Sequence, residues 1–125
     1  MIVGMGVDIM EVPRMEAAIE RFGKRFLKRV FTEAEIQYCD SKTNRMERYA
    51  ARFAAKEAGL KAIGTGWRGG ISWRDVEVRR ERSGRPNLAY SGKAGEVADR
   101  VGVRRTWLSL SHTEQHAIAQ VILED

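Results

Sequence analysis

Arg52-Phe53-Ala54-Ala55-Lys56-Glu57-Ala58-Gly59-Leu60-Lys61-Ala62 is the run whose reading decides the fold of this chain. At about 100° per residue its side chains sort into helical sectors. Ala51, Ala54, Ala55, Ala58 and Ala62 share one narrow face, and a face of small residues predicts close approach by a buried neighbour. Tyr49, Phe53 and Leu60 form a second apolar sector, and Glu57 and Lys61 lie between the two, one turn apart. A carboxylate wedged between apolar sectors is costly without a partner. Two readings stay open. One is an i,i+4 ion pair worth about 0.2–0.5 kcal/mol; the other is a metal-binding carboxylate beside a phosphate-binding lysine.

Outward from this run, the spacing predicts a long helix from about Arg45 to Ile63, closed by Gly64 as a left-handed cap. Gly64-Thr65-Gly66-Trp67-Arg68-Gly69-Gly70 must be a loop, and it lacks the spacing of a P-loop or dinucleotide fingerprint. Ile71 to Arg82 alternates like a strand through Val76 and Val78, Ser83-Gly84-Arg85-Pro86 is a turn, and Asn87 to Tyr90 completes a hairpin. Ser91 opens a helix to about Arg100, ended by Gly102. Thr106 to Ser111 and His116 to Leu123 are closing strands joined by His112-Thr113-Glu114-Gln115, with Leu108 and Leu110 inward. His112 reads either as a turn hydrogen-bonder or as a site residue.

Toward the N-terminus, Met1 to Asp8 alternates. Met1, Val3, Met5 and Val7 point one way and read as the packed face, while Gly4, Gly6 and Asp8 point the other. Glycine in a strand often marks close approach of a backbone or a ligand. Asp8 is either a strand-end turn residue or a ligand. Pro13 suits the first turn of a helix carrying Met15, Ala18, Ile19 and Phe22 to about Gly23, followed by a basic segment from Lys24 to Val30. Arg14, Arg21, Arg25 and Lys28 fall near whole helical turns, as a solvated face or a partner surface. Thr32 and Glu35 form a capping box for a helix of Glu33 to about Asp40. Strands and helices in this order predict α+β, one domain over residues 1–125.

The 125 residues are 43% hydrophobic and 31% charged, which suits a globular domain with a real core. The start has neither a basic n-region nor a cleavage pattern, and no apolar run approaches the ~20 residues of a membrane span. One cysteine, Cys39, excludes an internal disulfide and suits a reducing cytoplasm. A net charge of +5 predicts an anionic partner: nucleic acid, a phosphorylated cofactor or an acidic protein.

Four segments then stand together: Gly4-Met5-Gly6-Val7-Asp8-Ile9 with Glu11 and Arg14; Phe31-Thr32-Glu33-Ala34-Glu35 with Tyr38 and Cys39; Arg52 to Ala58 with Lys61-Ala62; and Ser109-Leu110-Ser111-His112. In this order, with Gly70-Ile71-Ser72 and Gly84-Arg85-Pro86 between, they closely resemble the holo-acyl-carrier-protein synthases, the small bacterial 4′-phosphopantetheinyl transferases, over essentially the whole chain. The resemblance implies a curved, mostly antiparallel sheet packed with helices. It implies transfer of phosphopantetheine from coenzyme A to a serine of apo acyl-carrier protein, releasing 3′,5′-ADP with magnesium. It assigns Asp8 and Glu57 to the metal, Lys61 to the leaving phosphate, and Arg52 and Lys56 to other coenzyme A phosphates. Gly64, Thr65, Arg85 and Pro86 would hold the nucleotide, and Ser111, His112 and Thr113 would line the coenzyme A site, with His112 binding phosphate rather than acting as the base. A metal-bound water or Glu57 would take the serine proton. Trp67-Arg68 departs from the family as a bulky, charged version of a variable segment. The resemblance further implies a cytoplasmic homotrimer with active sites between subunits, and an acidic carrier protein met by Arg14, Arg21, Phe22 and Arg25.

Two other classes remain. A small basic nucleic-acid-binding protein would use the same charge, but its arginines are not interleaved with exposed aromatics and no recognition motif occurs. A structural trimer without catalysis would not need Asp8, Glu57, Lys61 and His112 together.

Overall fold

In the computed structural model, which describes residues 1–66 and 68–125, the N-terminal strand β1 (Ile2–Glu11) leads into α1 (Val12–Val30). Then come α2 (Glu33–Asp40), α3 (Arg45–Ile63), the hairpin β2 (Val76–Arg80) and β3 (Pro86–Tyr90), α4 (Gly92–Val101), β4 (Arg105–His112) and β5 (His116–Glu124). The class is α+β, as expected. The strands divide into an antiparallel three-stranded sheet in the order β1-β5-β4 and the separate β2-β3 hairpin. Thr106 Oγ1 on β4 donates to the Leu88 carbonyl on β3 at 2.8 Å and ties the two together.

Helix α3 is the axis of the molecule. Its alanine face is buried at Ala51, Ala54, Ala55, Ala58 and Ala62, and it lies on β1 and β5. The strand offers it glycines: a Cβ at Gly4 would overlap the Ala62 carbonyl oxygen, and one at Gly6 the Ala58 carbonyl oxygen. The close approach foreseen at those glycines is therefore backbone to backbone.

The same contact corrects the reading of β1. Its packed face is the glycine face, and Met5, Val7 and Ile9 point outward, more than half exposed. Across the sheet Met5 pairs with Ile122 and Ile9 with Ile118, which makes an apolar strip along β1 on the outer sheet face.

Two cores flank α3. One packs its C-terminal half against Val76, Leu88, Ala94 and Val121. The other packs its N-terminal half against Met15, Phe31 and Cys39, with the Phe31 and Tyr49 rings 5.0 Å apart. Gly23, at φ 61°, breaks α1 into two helical stretches, which is the division expected there. The capping box of Thr32 and Glu35 forms, and Gly64 closes α3 in the left-handed conformation. The run after Ile71 is shorter as a strand than its alternation suggested. Ser72 instead caps a 3₁₀ turn, Trp73–Asp75, and β2 begins only at Val76.

Candidate active site

The first group of site residues gathers where β1 crosses α3. Gly4 against Ala62 and Gly6 against Ala58 set strand and helix running in opposite senses. Lys61 reaches back across this crossing. Its ammonium donates to Asp8 Oδ1 at 2.9 Å and to the Val7 carbonyl at 3.1 Å. Glu57, half-buried, projects from the same side of α3 one turn before Lys61. Asp8, Glu57 and Lys61 thus share one flank. Of the two readings left open for Lys61, a pairing within the helix or a site cation, the structure gives it a carboxylate from another element.

The second group faces elsewhere. Arg52 precedes Lys61 by nine residues, so at 100° per residue the two leave α3 on opposite sides. Arg52 lines a cavity of about 210 Å³ with Tyr38, Arg48, Arg80, Pro86 and His112. Its guanidinium lies 4.0 Å from the Tyr38 ring centroid, yet its Nε, fully buried, has no hydrogen-bond partner. Burial pulls the Arg52 guanidinium below its ordinary range. A buried, incompletely satisfied cation among further basic groups has the chemistry to take an anion. His112 enters from the end of β4, with Nδ1 2.8 Å from Glu47 Oε1.

Lys56 does not belong to either group. It is fully buried, paired with Glu35 at 2.8 Å, and donates to the Trp73 carbonyl at 3.0 Å and to the Val76 carbonyl. Burial lowers its pKa while Glu35 opposes that shift. Glu35 also accepts from the Val78 and Thr32 backbone N–H groups at 2.7 and 2.8 Å. With its protons directed inward to three oxygens, Lys56 fastens the hairpin to α2 and α3. The phosphate-binding role expected of it is corrected on that ground.

The remaining residues scatter. Pro86 lines the arginine cavity, whereas Arg85 is exposed, 4.7 Å over the Trp107 ring. Gly64 is exposed, and Thr65 donates to the Gly66 carbonyl. Ser111 is exposed on the outer sheet face opposite Ile118. Thr113 Oγ1 accepts from the Gln115 and His116 backbone N–H groups and closes the β4–β5 turn. Arg68 is exposed, and Trp67 lies outside the described residues. On α1, Met15 and Ile19 are core, while Phe22 is 56% exposed. Arg21, Phe22 and Arg25 line one cavity of about 580 Å³ despite the break at Gly23. Arg14 stands apart from that cavity, 3.6 Å from Glu11.

Sequence reasoning missed Glu47, Arg48 and Arg80. Arg48 had a usable signal, since it sits one turn before Arg52 on the same side of α3. Among the described residues no three His, Cys, Asp or Glu side chains gather as a metal cluster, and no helix is long and apolar enough to cross a membrane.

Residues 4–121 match the 4′-phosphopantetheinyl transferase superfamily. The holo-acyl-carrier-protein synthase of Koribacter versatilis is 62% identical over 125 residues, the whole of both chains. The crystal structure of the Neisseria meningitidis synthase superposes with a TM-score of 0.88 at 35% identity, again over the whole of both chains. The Bacillus anthracis synthase, solved in complex with CoA (3′,5′-ADP), gives 0.79 at 38% identity over 98% of this chain and 96% of its own.

Proposed function

This chain belongs to the 4′-phosphopantetheinyl transferase superfamily, and from that membership we propose how its residues serve the reaction. It is a holo-acyl-carrier-protein synthase that moves the 4′-phosphopantetheine of coenzyme A onto a serine of apo acyl-carrier protein and releases adenosine 3′,5′-bisphosphate. The observation that carries this reading at residue level is the buried, orphaned Nε of Arg52 in a cavity that also receives Arg48, Arg80 and His112. Such a cavity suits the phosphates of the nucleotide end.

In the reaction the serine oxygen bonds to the pantetheine-side phosphorus of the pyrophosphate. The bond from that phosphorus to the bridging oxygen breaks, and charge passes to the departing nucleotide. Lys61, already beside Asp8, would meet that charge as a cation or a proton donor. The serine proton has to leave toward the same flank, where Glu57 is a half-buried carboxylate. Asp8 and Glu57 would also hold a magnesium ion. A donor set of two carboxylates, with no third ligand gathered among the described residues, fits an ion that keeps several waters and takes phosphate oxygens. Bound there, magnesium supplies positive charge to the pyrophosphate.

Two features support a homotrimer with shared sites. The lysine flank and the arginine cavity lie on opposite sides of α3, and about 210 Å³ is below the ~300–1,000 Å³ typical of ligand pockets. A second copy could bring its arginine cavity to the first copy's lysine flank. The exposed Met5, Val7, Ile9 and Ile118 face is the apolar surface such a neighbour would cover. Arg14 and the Arg21/Phe22/Arg25 cavity on α1 would receive the acidic carrier protein. The buried, unpaired Cys39 is in keeping with a cytoplasmic enzyme.

Intact mass spectrometry of apo carrier protein, after incubation with this protein, coenzyme A and magnesium, tests the reading. A shift by one phosphopantetheine unit is expected. An unmodified carrier, with salt-dependent DNA binding and no binding of coenzyme A, would replace it with the nucleic-acid reading. Light scattering tests the assembly: a monomer fully active at assay concentration would end the shared-site proposal.

A further inference from the structure

Glu47 and His112 are 65 residues apart in sequence, and the fold brings them to 2.8 Å. Glu47 stands in the first turn of α3; His112 ends β4. Both side chains are three-quarters or more buried, at 21% and 25% exposure, so water competes weakly for the contact. A carboxylate only accepts, so the hydrogen of this bond sits on Nδ1 of the ring. That choice leaves Nε2 as the ring's remaining polar atom. His112 lines the arginine cavity, and Glu47 does not. Glu47 therefore stands behind the histidine, away from whatever the cavity holds.

We propose that Glu47 is a positioning residue for coenzyme A: it fixes the His112 ring so that Nε2 is presented to a phosphate held by Arg48, Arg52 and Arg80. A phosphate oxygen needs an N–H donor, and with Nδ1–H committed to Glu47 that donor is the imidazolium Nε2–H. The arrangement parallels the carboxylates that orient ligating histidines in metal sites, whose loss costs about 10–100-fold in affinity. The inference rests on the coenzyme A reading of this cavity.

The test separates the two. Calorimetric titration of the wild-type protein with 3′,5′-ADP reports whether the cavity takes the nucleotide at all, and no binding would sink the parent reading. Given binding, Glu47→Ala is expected to raise KM for coenzyme A about tenfold with kcat within about twofold. In the His112→Ala background the same substitution is expected to add nothing, because the two side chains act as one unit. ¹⁵N NMR of the ring is expected to show the Nδ1–H state in the wild type and its loss in Glu47→Ala. If Glu47→Ala does not fold, Glu47→Leu, which roughly keeps the volume and removes the acceptor, carries the same measurements. An unchanged KM, or an effect of equal size with and without His112, overturns the proposal.

Discussion

The ammonium of Lys61 lies 2.9 Å from Asp8 Oδ1, joining two residues 53 positions apart through the crossing of β1 and α3. Lys61 is 53% exposed and Asp8 18%, so the pair contributes little to stability, on the scale of ~0–1 kcal/mol for exposed ion pairs. What the geometry does is keep a carboxylate and a half-exposed cation on one flank.

Asp8→Asn and Glu57→Gln should therefore leave folded protein while cutting transfer by about 100-fold or more. Circular dichroism and transfer rates over a magnesium series check this. Full activity of either variant at limiting magnesium would remove the substituted residue from the metal.

Gly6→Ala should be among the most damaging small substitutions in the chain. Its methyl group would overlap the Ala58 carbonyl oxygen, and neither backbone can yield without parting the strand from the helix. A loss of about 1–3 kcal/mol or more is expected. The midpoint of urea unfolding reports it, and a midpoint within error of wild type would show that β1 and α3 can slide apart at no cost.

Arg52→Met separates stability from function. It removes a buried cation with an unsatisfied Nε and keeps the volume. Thermal stability should hold or rise, since an unmet buried polar group costs about 1–3 kcal/mol. KM for coenzyme A should rise about tenfold or more, the worth of a charge-assisted hydrogen bond. A fall in Tm with unchanged KM would make Arg52 structural.

Burial pushes the Cys39 thiol from 9.0 up to about 12. Between those values the unfolded chain releases a proton that the folded chain keeps, so this contribution is intact below pH 9 and is lost as pH rises toward 12. The loss is roughly 1.4 kcal/mol per pH unit at most. Urea midpoints at pH 8 and pH 10 should fall further apart for wild type than for Cys39→Ala. Equal gaps would mean the thiol is reached by solvent in the folded protein.

On α1, Arg21→Glu and Arg25→Glu should weaken use of the carrier protein and leave KM for coenzyme A nearly unchanged. Both arginines are exposed, so the defect should shrink as salt shortens the Debye length from about 8 Å at physiological strength. Steady-state kinetics with both substrates at two salt concentrations decide it. Unchanged carrier kinetics at low salt would return these arginines to a solvated face.

Period and punctuation made much of this legible. The alanine face of α3, the Thr32–Glu35 capping box, the Gly64 and Gly102 caps and the break at Gly23 are local signals, and each formed as read. What depends on contacts between distant segments was not legible. Alternation in β1 defines two faces without saying which one meets α3, and the glycines won because only they admit a helix so close. The resemblance assigns Lys56 to a coenzyme A phosphate, and only Glu35, 21 positions earlier and folded against it, shows its charge directed inward. His112 stands out at its strand end, but nothing in the sequence pairs it with Glu47, since their meeting depends on how β4 lies against α3.

The strand at the centre of the main sheet, β5, is the last one in the order of synthesis. Gly6 on β1 pairs with Val121, and β4 has the same partner strand. During translation, at about 5–20 residues per second, β1 emerges well before its partner strand β5. Its Met5, Val7 and Ile9 are meanwhile available to any other strand, a hazard that long-range pairing brings with it. The three-stranded sheet is therefore complete only once β5 lies between β1 and β4, after α1 to α4 and the β2-β3 hairpin have been synthesised.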